Sequence, residues 1–556
     1  MSNLYAAAPE AYNFPLIIKQ LLNRARQVSV SQEIVYANKK RMTYADLFLR
    51  INKLANVLAD LNLQKGDVVA VMDWDSHRYL ESYFAIPMSE FIIQTVNIRL
   101  SPEKILYTIN HAKPKVLLLN SEFAPLVKNY QFENSSIEHI IWLDDNGVSS
   151  EGIFGDNQKR VVGEYEALLE AASDEFEFAD FDENTIASTF YTSGTTGNPK
   201  GVFFSHRQLV LHTLTEAASI GVLPQKQGLS YGDVYMPLTP MFHVHAWGFP
   251  FTATMVGLKQ VYPGRYAPDV LFDLIQNEKV TLTHCVPTIL QMLLQEGQSR
   301  AEDFGGLKMI IGGSRLTEGL AKAALAQNIE VYTGYGMSET APLISLSSFA
   351  INEPQMDTEQ DINRRCMTGQ PVIMVEADIW NSDNQLLPRD GKQTGELVLR
   401  APWLTQSYFK NEDAGQELWE GGYMHTQDIA NIRQDGYIRI TDRLKDVIKS
   451  GGEWISSLEI ETILSLHPAV ADVAVIGVYD EKWGERPLAI IVLKPEHQQT
   501  EQKDIKAIAE QAAQKGMIPK YGVPEQYIFV DEMPKTSVGK HDKKAMREQF
   551  ANQTQV

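Results

Sequence analysis

The run Tyr191-Thr192-Ser193-Gly194-Thr195-Thr196-Gly197-Asn198-Pro199-Lys200-Gly201 constrains this chain more than any other feature, because it gathers hydroxyls, glycines and one lysine into a single turn. Glycine lets backbone N–H groups approach an oxyanion, the hydroxyls of Thr192, Ser193, Thr195 and Thr196 add donors, and Lys200 adds a point charge. That composition suits a polyphosphate. The spacing G-x-x-G-x-x-K lacks the ending of G-x-x-x-x-G-K-[ST], so a helix-start lysine followed by a metal-binding hydroxyl is not implied. Preceded by the strand-like residues 185–190 and followed by residues 202–206, the run reads as a phosphate cradle and not as a plain surface turn.

A chain of 556 residues is too long for one hydrophobic core, so at least two domains are expected. The formal charge of −20 argues against nucleic acid and against an anionic membrane as partner, so the phosphate cradle must be a local basic island. Cys285 and Cys366 stand far apart with no C-x-x-C partner, which excludes a disulfide scaffold and a zinc ribbon and suits a reducing compartment. No leader-like start and no retention or peroxisomal tripeptide is legible, so a cytoplasmic enzyme is expected. Residues 234–258 lack Asp, Glu, Lys and Arg, yet Pro237, Pro240, Pro250 and two histidines make them a buried pocket wall and not a transmembrane segment.

The first half alternates strand-like runs, such as residues 68–72 and 115–119, with helical stretches, which is α/β patterning. Helices are predicted over 43–61, with Thr43 as N-cap, and over 101–112, where Ser101 caps and Pro102 takes the first helical position. After residue 441 the charge-alternating Asp442-Arg443-Leu444-Lys445-Asp446 leads into a smaller unit with its own strands at 470–479, 488–493 and 526–530. The expected organisation is α/β: a large N-terminal domain (1–441) of α/β and β subdomains, a hinge or linker (442–446) and a small α+β C-terminal domain (447–556).

Further motifs follow in order. Gly334-Tyr335-Gly336-Met337-Ser338-Glu339-Thr340 offers an aromatic face, glycines for close approach, a carboxylate for Mg²⁺, which needs few protein ligands, and a hydroxyl for phosphate. Gly312-Gly313-Ser314 follows the strand-like residues 307–311. In Pro240-Met241-Phe242-His243-Val244-His245-Ala246-Trp247 the His-x-His spacing would put both imidazoles on one face of a strand, but no third metal ligand lies nearby. His425-Thr426-Gln427-Asp428, Lys449-Ser450-Gly451-Gly452 and Pro534-Lys535-Thr536-Ser537-Val538-Gly539-Lys540 complete the set.

Together these motifs resemble the adenylate-forming superfamily of acyl-CoA synthetases, luciferases and peptide-synthetase adenylation domains, over nearly the whole chain and nearest the fatty acyl-CoA synthetase branch. The resemblance implies ATP, Mg²⁺ and coenzyme A, with a fatty acid activated to acyl-AMP and passed to the CoA thiol. It implies that Thr192, Ser193, Gly194, Thr195, Thr196, Gly197 and Lys200 hold the β- and γ-phosphates. Gly312 and Gly313 would line adenine and acyl pocket, Gly336 would allow close approach of the nucleotide, Tyr335 would stack on the adenine, Thr340 would meet the α-phosphate and Glu339 would bind the metal. Asp428 would accept both ribose hydroxyls, as a carboxylate can, with Arg443 near ribose and phosphate. Where the family has Thr-Gly-Asp this chain has Thr-Gln-Asp, which strains Gln427 if the position needs a positive φ.

His243 and Trp247 would gate an acyl tunnel. Lys540 would bridge substrate carboxylate and α-phosphate as the adenylation lysine, with Lys449, Gly451 and Gly452 lining the pantetheine channel once the small domain has turned about Lys445. A homodimer is the assembly the branch suggests. Rival readings are a fatty acid–AMP ligase that stops at the adenylate, a CoA ligase for a short thioether or branched acid, and a nucleotide-responsive binding protein without catalysis; intact Lys200, Glu339, Asp428 and Lys540 weigh against the last.

Overall fold

A computed structural model describes residues 6–127, 130–192, 198–224, 226–347, 358–381, 383–450, 453–536 and 541–550. Four sheets organise it. The first runs Val161–Glu164, His139–Leu143, Val116–Asn120, Val68–Met72, Ile92–Thr95, Ile186–Tyr191, Gly201–Ser205, parallel except for the last, antiparallel pair. Its central strands Val68–Met72 and Val116–Asn120 are buried along their whole length and apolar up to Asn120, as in a parallel sheet covered on both faces. Helix Tyr44–Ala59 starts at the predicted cap: Thr43 and Asp46 form a reciprocal capping box, and Leu47, Ile51, Leu54 and Leu58 bury one stripe. Pro102–Ala112 likewise starts after Ser101.

Among the described residues the second sheet has nine strands and an equally long parallel run: Ile329–Gly336, Leu307–Ile311, Leu282–Cys285, Val234–Pro237, Lys259–Tyr262 and Glu33–Tyr36 lie side by side. From Val234–Pro237 the chain crosses to Lys259–Tyr262 on one side, and then by helix Pro268–Glu278 to Leu282–Cys285 on the other. That reversal opens a crevice beyond Pro237 and Cys285, where ligands of parallel α/β sheets ordinarily bind. The first sheet has the same kind of reversal beside Val68–Met72, but its crevice is filled by its own side chains. Asn120 donates to Asp73 Oδ1 at 2.7 Å, Ser76 donates to Asp73 Oδ2 at 2.5 Å, and Arg78 pairs with Asp73 at 3.4 Å and Asp145 at 2.9 Å.

A third, antiparallel sheet is built on the long strand Tyr423–Ile432, flanked by Gly395–Arg400 and Ile438–Arg443. Asp442 and Arg443 close this last strand, so the first two residues of the predicted linker are regular sheet and only 444–446 turn. Beyond them a small separate domain folds around Gly484–Leu493 and Val470–Asp480, with helices Ser457–Ser465, Gln502–Gln514 and Lys543–Phe550 and apolar clusters of its own. The charge-free segment 234–258 is a strand, a buried turn and helix Phe249–Val256, and among the described residues no helix is long and apolar enough to cross a membrane.

Candidate functional site

The phosphate-type turn joins two antiparallel strands in register Tyr191 to Gly201, and its base is closed by the Thr192 N–H donating to the Lys200 carbonyl at 2.9 Å. Ser193, Gly194, Thr195, Thr196 and Gly197 lie outside the described residues. Segment 405–410 packs on this hairpin: Phe409 N–H donates to the Gly201 carbonyl at 2.7 Å, and a methyl on Gly201 would stand 3.0 Å from Phe409 Cβ. The same segment places Tyr408 between two of the sequence-predicted residues. Its ring centroid lies 4.6 Å from Lys200 Nζ, and its hydroxyl donates to Glu339 Oε1 at 2.8 Å. Glu339 is buried, which raises its carboxyl above the ordinary range, while the Tyr408 bond and the charges of Arg443 and Lys200 pull it back. Tyr408 belongs to no recognisable motif, and nothing local in the sequence singles it out.

Glu339 and Thr340 sit in a short turn after strand Ile329–Gly336. Gly336 cannot be replaced there, because a methyl would fall 1.7 Å from the Pro342 carbonyl oxygen. Thr340 is fully buried, and its hydroxyl oxygen accepts the Met337 N–H at 3.0 Å within reach of the Pro342 carbonyl, so here it staples its own turn. Tyr335 donates its hydroxyl to Asp428 Oδ2 at 2.6 Å, and Arg443 Nε pairs with Asp428 Oδ1 at 3.2 Å. Burial holds the Tyr335 phenol protonated, and the Asp428 charge raises the Arg443 guanidinium. Gln427 has φ of +59°, so the position does have the left-handed backbone expected of a glycine. Its N–H donates to Glu396 Oε1 at 2.8 Å, its carbonyl accepts the Leu444 N–H at 2.9 Å, and the opposite strand slips register there. The irregularity aims Asp428 inward without loss of its partners.

The His-x-His segment corrects the strand expectation. Val244, His245, Ala246 and Trp247 have φ of 49°, 54°, 48° and 60°, followed by Gly248 at 84°, so they form a left-handed turn. His245 points into the core among Tyr83, Phe190 and Phe251, and burial pushes its pKa down to about 3. It therefore stays neutral and shares no strand face with His243. Trp247 is buried beside the end of strand Leu307–Ile311, with its Cη2 2.8 Å from where a methyl on Gly312 would stand, which explains why a glycine follows that strand. Gly313 follows with φ of +77°.

Lys445 is exposed in the turn between the domains, where its carbonyl accepts from Arg547 at 3.4 Å and neighbouring Asp446 takes an Arg547 ion pair at 2.5 Å. Asp442 is buried at the junction, accepting the Ser457 N–H at 2.5 Å and the Ser457 hydroxyl at 3.1 Å. Burial lifts its pKa to about 6 although the Lys543 charge opposes this. The Lys449 N–H donates to Glu485 within the small domain. Gly451, Gly452 and Lys540 lie outside the described residues. Lys200, Tyr335, Glu339, Asp428 and Arg443 are thus brought together from three sheets, with Tyr408 as the member the sequence did not reveal.

A family model described as AMP-binding enzyme matches residues 22–409, and one for the AMP-binding enzyme C-terminal domain matches residues 459–540. The chain is 38% identical over 515 residues to a long-chain-fatty-acid–CoA ligase of Thermus thermophilus, covering 92% of this chain and 91% of the relative. It is 36% identical to a 3-methylmercaptopropionyl-CoA ligase of Ruegeria lacuscaerulensis, covering 96% and 97%. Among solved structures, an anthranilate CoA ligase in complex with anthranoyl-AMP shares the fold, with a TM-score of 0.84 at 23% identity over 98% of this chain and 99% of that one.

Two expectations follow from the geometry. In Tyr408→Phe the Glu339 carboxyl loses a bond that favours its charged form, so its titration, followed by difference infrared spectroscopy against Glu339→Gln, moves to higher pH; an unmoved titration would remove Tyr408 from the site. Gln427→Gly relieves a left-handed backbone at the expense of a floppier unfolded chain, so urea unfolding changes by less than about 1 kcal/mol and ATP affinity holds, whereas the β-branched Gln427→Val costs about 1–2 kcal/mol.

Proposed function

The chain belongs to the AMP-binding enzyme family, and on that premise we propose that it is an ATP- and Mg²⁺-dependent fatty acid–CoA ligase. A carboxylate oxygen of the acid attacks the α-phosphorus of ATP, the bond to the bridging oxygen breaks, and acyl-AMP and pyrophosphate form. The CoA sulfur then attacks the acyl carbon, its proton is lost, and AMP departs. The observation that carries this reading is the convergence of Lys200, Glu339 and the Asp428–Arg443 pair around two tyrosines, Tyr408 and Tyr335.

In this reading the 192–197 turn and Lys200 hold the outer phosphates, and Tyr335 with Gly312, Gly313 and Gly336 frames the adenine. Each Asp428 oxygen has a second lone-pair direction, so ribose hydroxyls can be accepted beside Tyr335 and Arg443. Thr340 reaches the α-phosphate by turning its hydroxyl from the Pro342 carbonyl. Glu339 fits Mg²⁺: it is one buried carboxylate beside a phosphate cradle, and this ion keeps most of its waters and takes few protein ligands. The ion would supply charge neutralisation for the phosphates. Lys540 stabilises the charge that builds between carboxylate and phosphate. Trp247 and His243 border the acyl chain, and Lys449, Gly451 and Gly452 line the CoA path. The small domain begins beyond 442–446 and turns about Lys445; a cytoplasmic homodimer completes the proposal.

A second reading, a ligase for a short thioether acid, is supported by the 36% identity to the 3-methylmercaptopropionyl-CoA ligase. A panel of acids with ATP, Mg²⁺ and CoA separates the two. Each buried methylene contributes ~0.8 kcal/mol, so four extra carbons are worth roughly a hundredfold in kcat/KM, and medium or long fatty acids should lead. Highest kcat/KM for 3-methylmercaptopropionate establishes the second reading, and a lead for acetate or an aromatic acid overturns both.

The hinge has its own test. Proline fixes its φ near −65° and restricts Leu444, so Lys445→Pro should preserve a first turnover of acid-dependent pyrophosphate release and sharply reduce acyl-CoA formation from supplied acyl-AMP. Full retention of the second half-reaction would exclude rotation at Lys445.

A further inference from the structure

His284, near the end of strand Leu282–Cys285, lies in register with Pro237 on the neighbouring parallel strand, at the switch point of the second sheet. No motif contains it. It is completely buried, and both ring nitrogens are engaged, Nε2 with the Tyr235 hydroxyl at 2.9 Å and Nδ1 with the Thr239 hydroxyl at 3.1 Å. Burial pushes its pKa down to about 3, so the ring is neutral, one nitrogen donating and the other accepting. Its plane lies near-parallel to two rings of the turn region: Trp247 at 5.0 Å and 28°, and Phe249 at 4.7 Å and 24°.

The turn that presents Trp247 needs outside support. Left-handed backbone is unfavourable for L-residues, and here four run consecutively. Such a turn persists only where its surroundings over-determine it. On one side of Trp247 stands the Gly312 backbone, which leaves no room for even a methyl. The near-parallel ring against Trp247 is His284, fixed by two hydroxyls from the strand and turn that lead into the gate segment.

We propose that His284 is the positioning residue of the gate: pinned by Tyr235 and Thr239, its ring sets where the Trp247 indole stands and thereby which acyl chains are admitted. This rests on the reading that Trp247 borders the acyl chain, and it assigns selectivity to a side chain that need not touch substrate.

A double-mutant cycle in the full-length chain tests it, with kcat/KM measured across acids of graded length together with the KM for ATP. His284→Ala is expected to change the ratio of kcat/KM between the longest and shortest acids by about tenfold, in the same direction as Trp247→Ala, with KM for ATP within about twofold of the parent. The double variant should then match Trp247→Ala alone, because His284 acts through the indole. Tyr235→Phe, which removes one pin and keeps every ring, should shift the ratio the same way by about threefold and decides the matter should His284→Ala not fold. If Trp247→Ala leaves the acid profile unchanged, the gate reading itself falls. If Trp247→Ala alters the profile while His284→Ala and Tyr235→Phe do not, or if the two alanine effects multiply, His284 is overturned as the positioning residue.

Discussion

The carboxylate of Asp428 is the interaction on which the rest of this site depends. It sits on the long strand of the third sheet, takes the hydroxyl of Tyr335 from the end of a second-sheet strand, and pairs with Arg443 on the strand that leads out of the large domain. One side chain thus ties two sheets together at the point where the chain leaves for the small domain. The tie is nearly inaccessible to water on the carboxylate side, where hydrogen bonds to a charged acceptor are strongest. Both partners are held by strand ends and not by loops, although the neighbouring segments are turns.

Charge is arranged to suit anions within an acidic protein. The formal charge is −20, yet the groups that meet at the crevice are Lys200 and Arg443 against two acids. One acid, Asp428, is neutralised by Arg443. The other, Glu339, is buried enough for its proton affinity to rise, while the Tyr408 hydroxyl and the charges of Arg443 and Lys200 oppose that rise. A carboxylate held in this state by a tyrosine hydroxyl suits a divalent ion that arrives with phosphates and leaves with them. At the domain junction Asp442 is also buried, but it is tied to Ser457, and through that hydroxyl to Lys543, so its surroundings serve closure and not substrate.

Much of this was legible in the sequence, for reasons that differ by residue. Capped helices such as Tyr44–Ala59 and the all-apolar strands could be read because local preference and burial agree there. The glycine at 336 could be read as a close-approach position, though the carbonyl that approaches it is set around a turn; at 312 the indole that demands a glycine comes from chain far away in sequence. Gln427 was legible as an oddity, and the backbone there is left-handed. The His243-x-His245 spacing misled because period-two reasoning presumes an extended chain, whereas four left-handed residues turn the second imidazole into the core. Tyr408 and His284 were invisible because each gains its meaning only from a partner brought near by the fold: Glu339 lies 69 positions from Tyr408, and Tyr235 lies 49 from His284.

The two invisible residues share a logic. Each is an aromatic ring whose polar atoms are engaged and whose face is presented to a residue the sequence did reveal, Tyr408 toward Lys200 and His284 toward Trp247. Motif residues must keep the chemistry, so they are the ones a sequence displays. The rings behind them need only the right shape and a fixed orientation, which many side chains could supply in a different packing. Strain and packing therefore meet at the switch point of the second sheet: the left-handed turn is unfavourable by itself, and the His284 stack and the Gly312 backbone that hold it there also fix where the Trp247 indole stands.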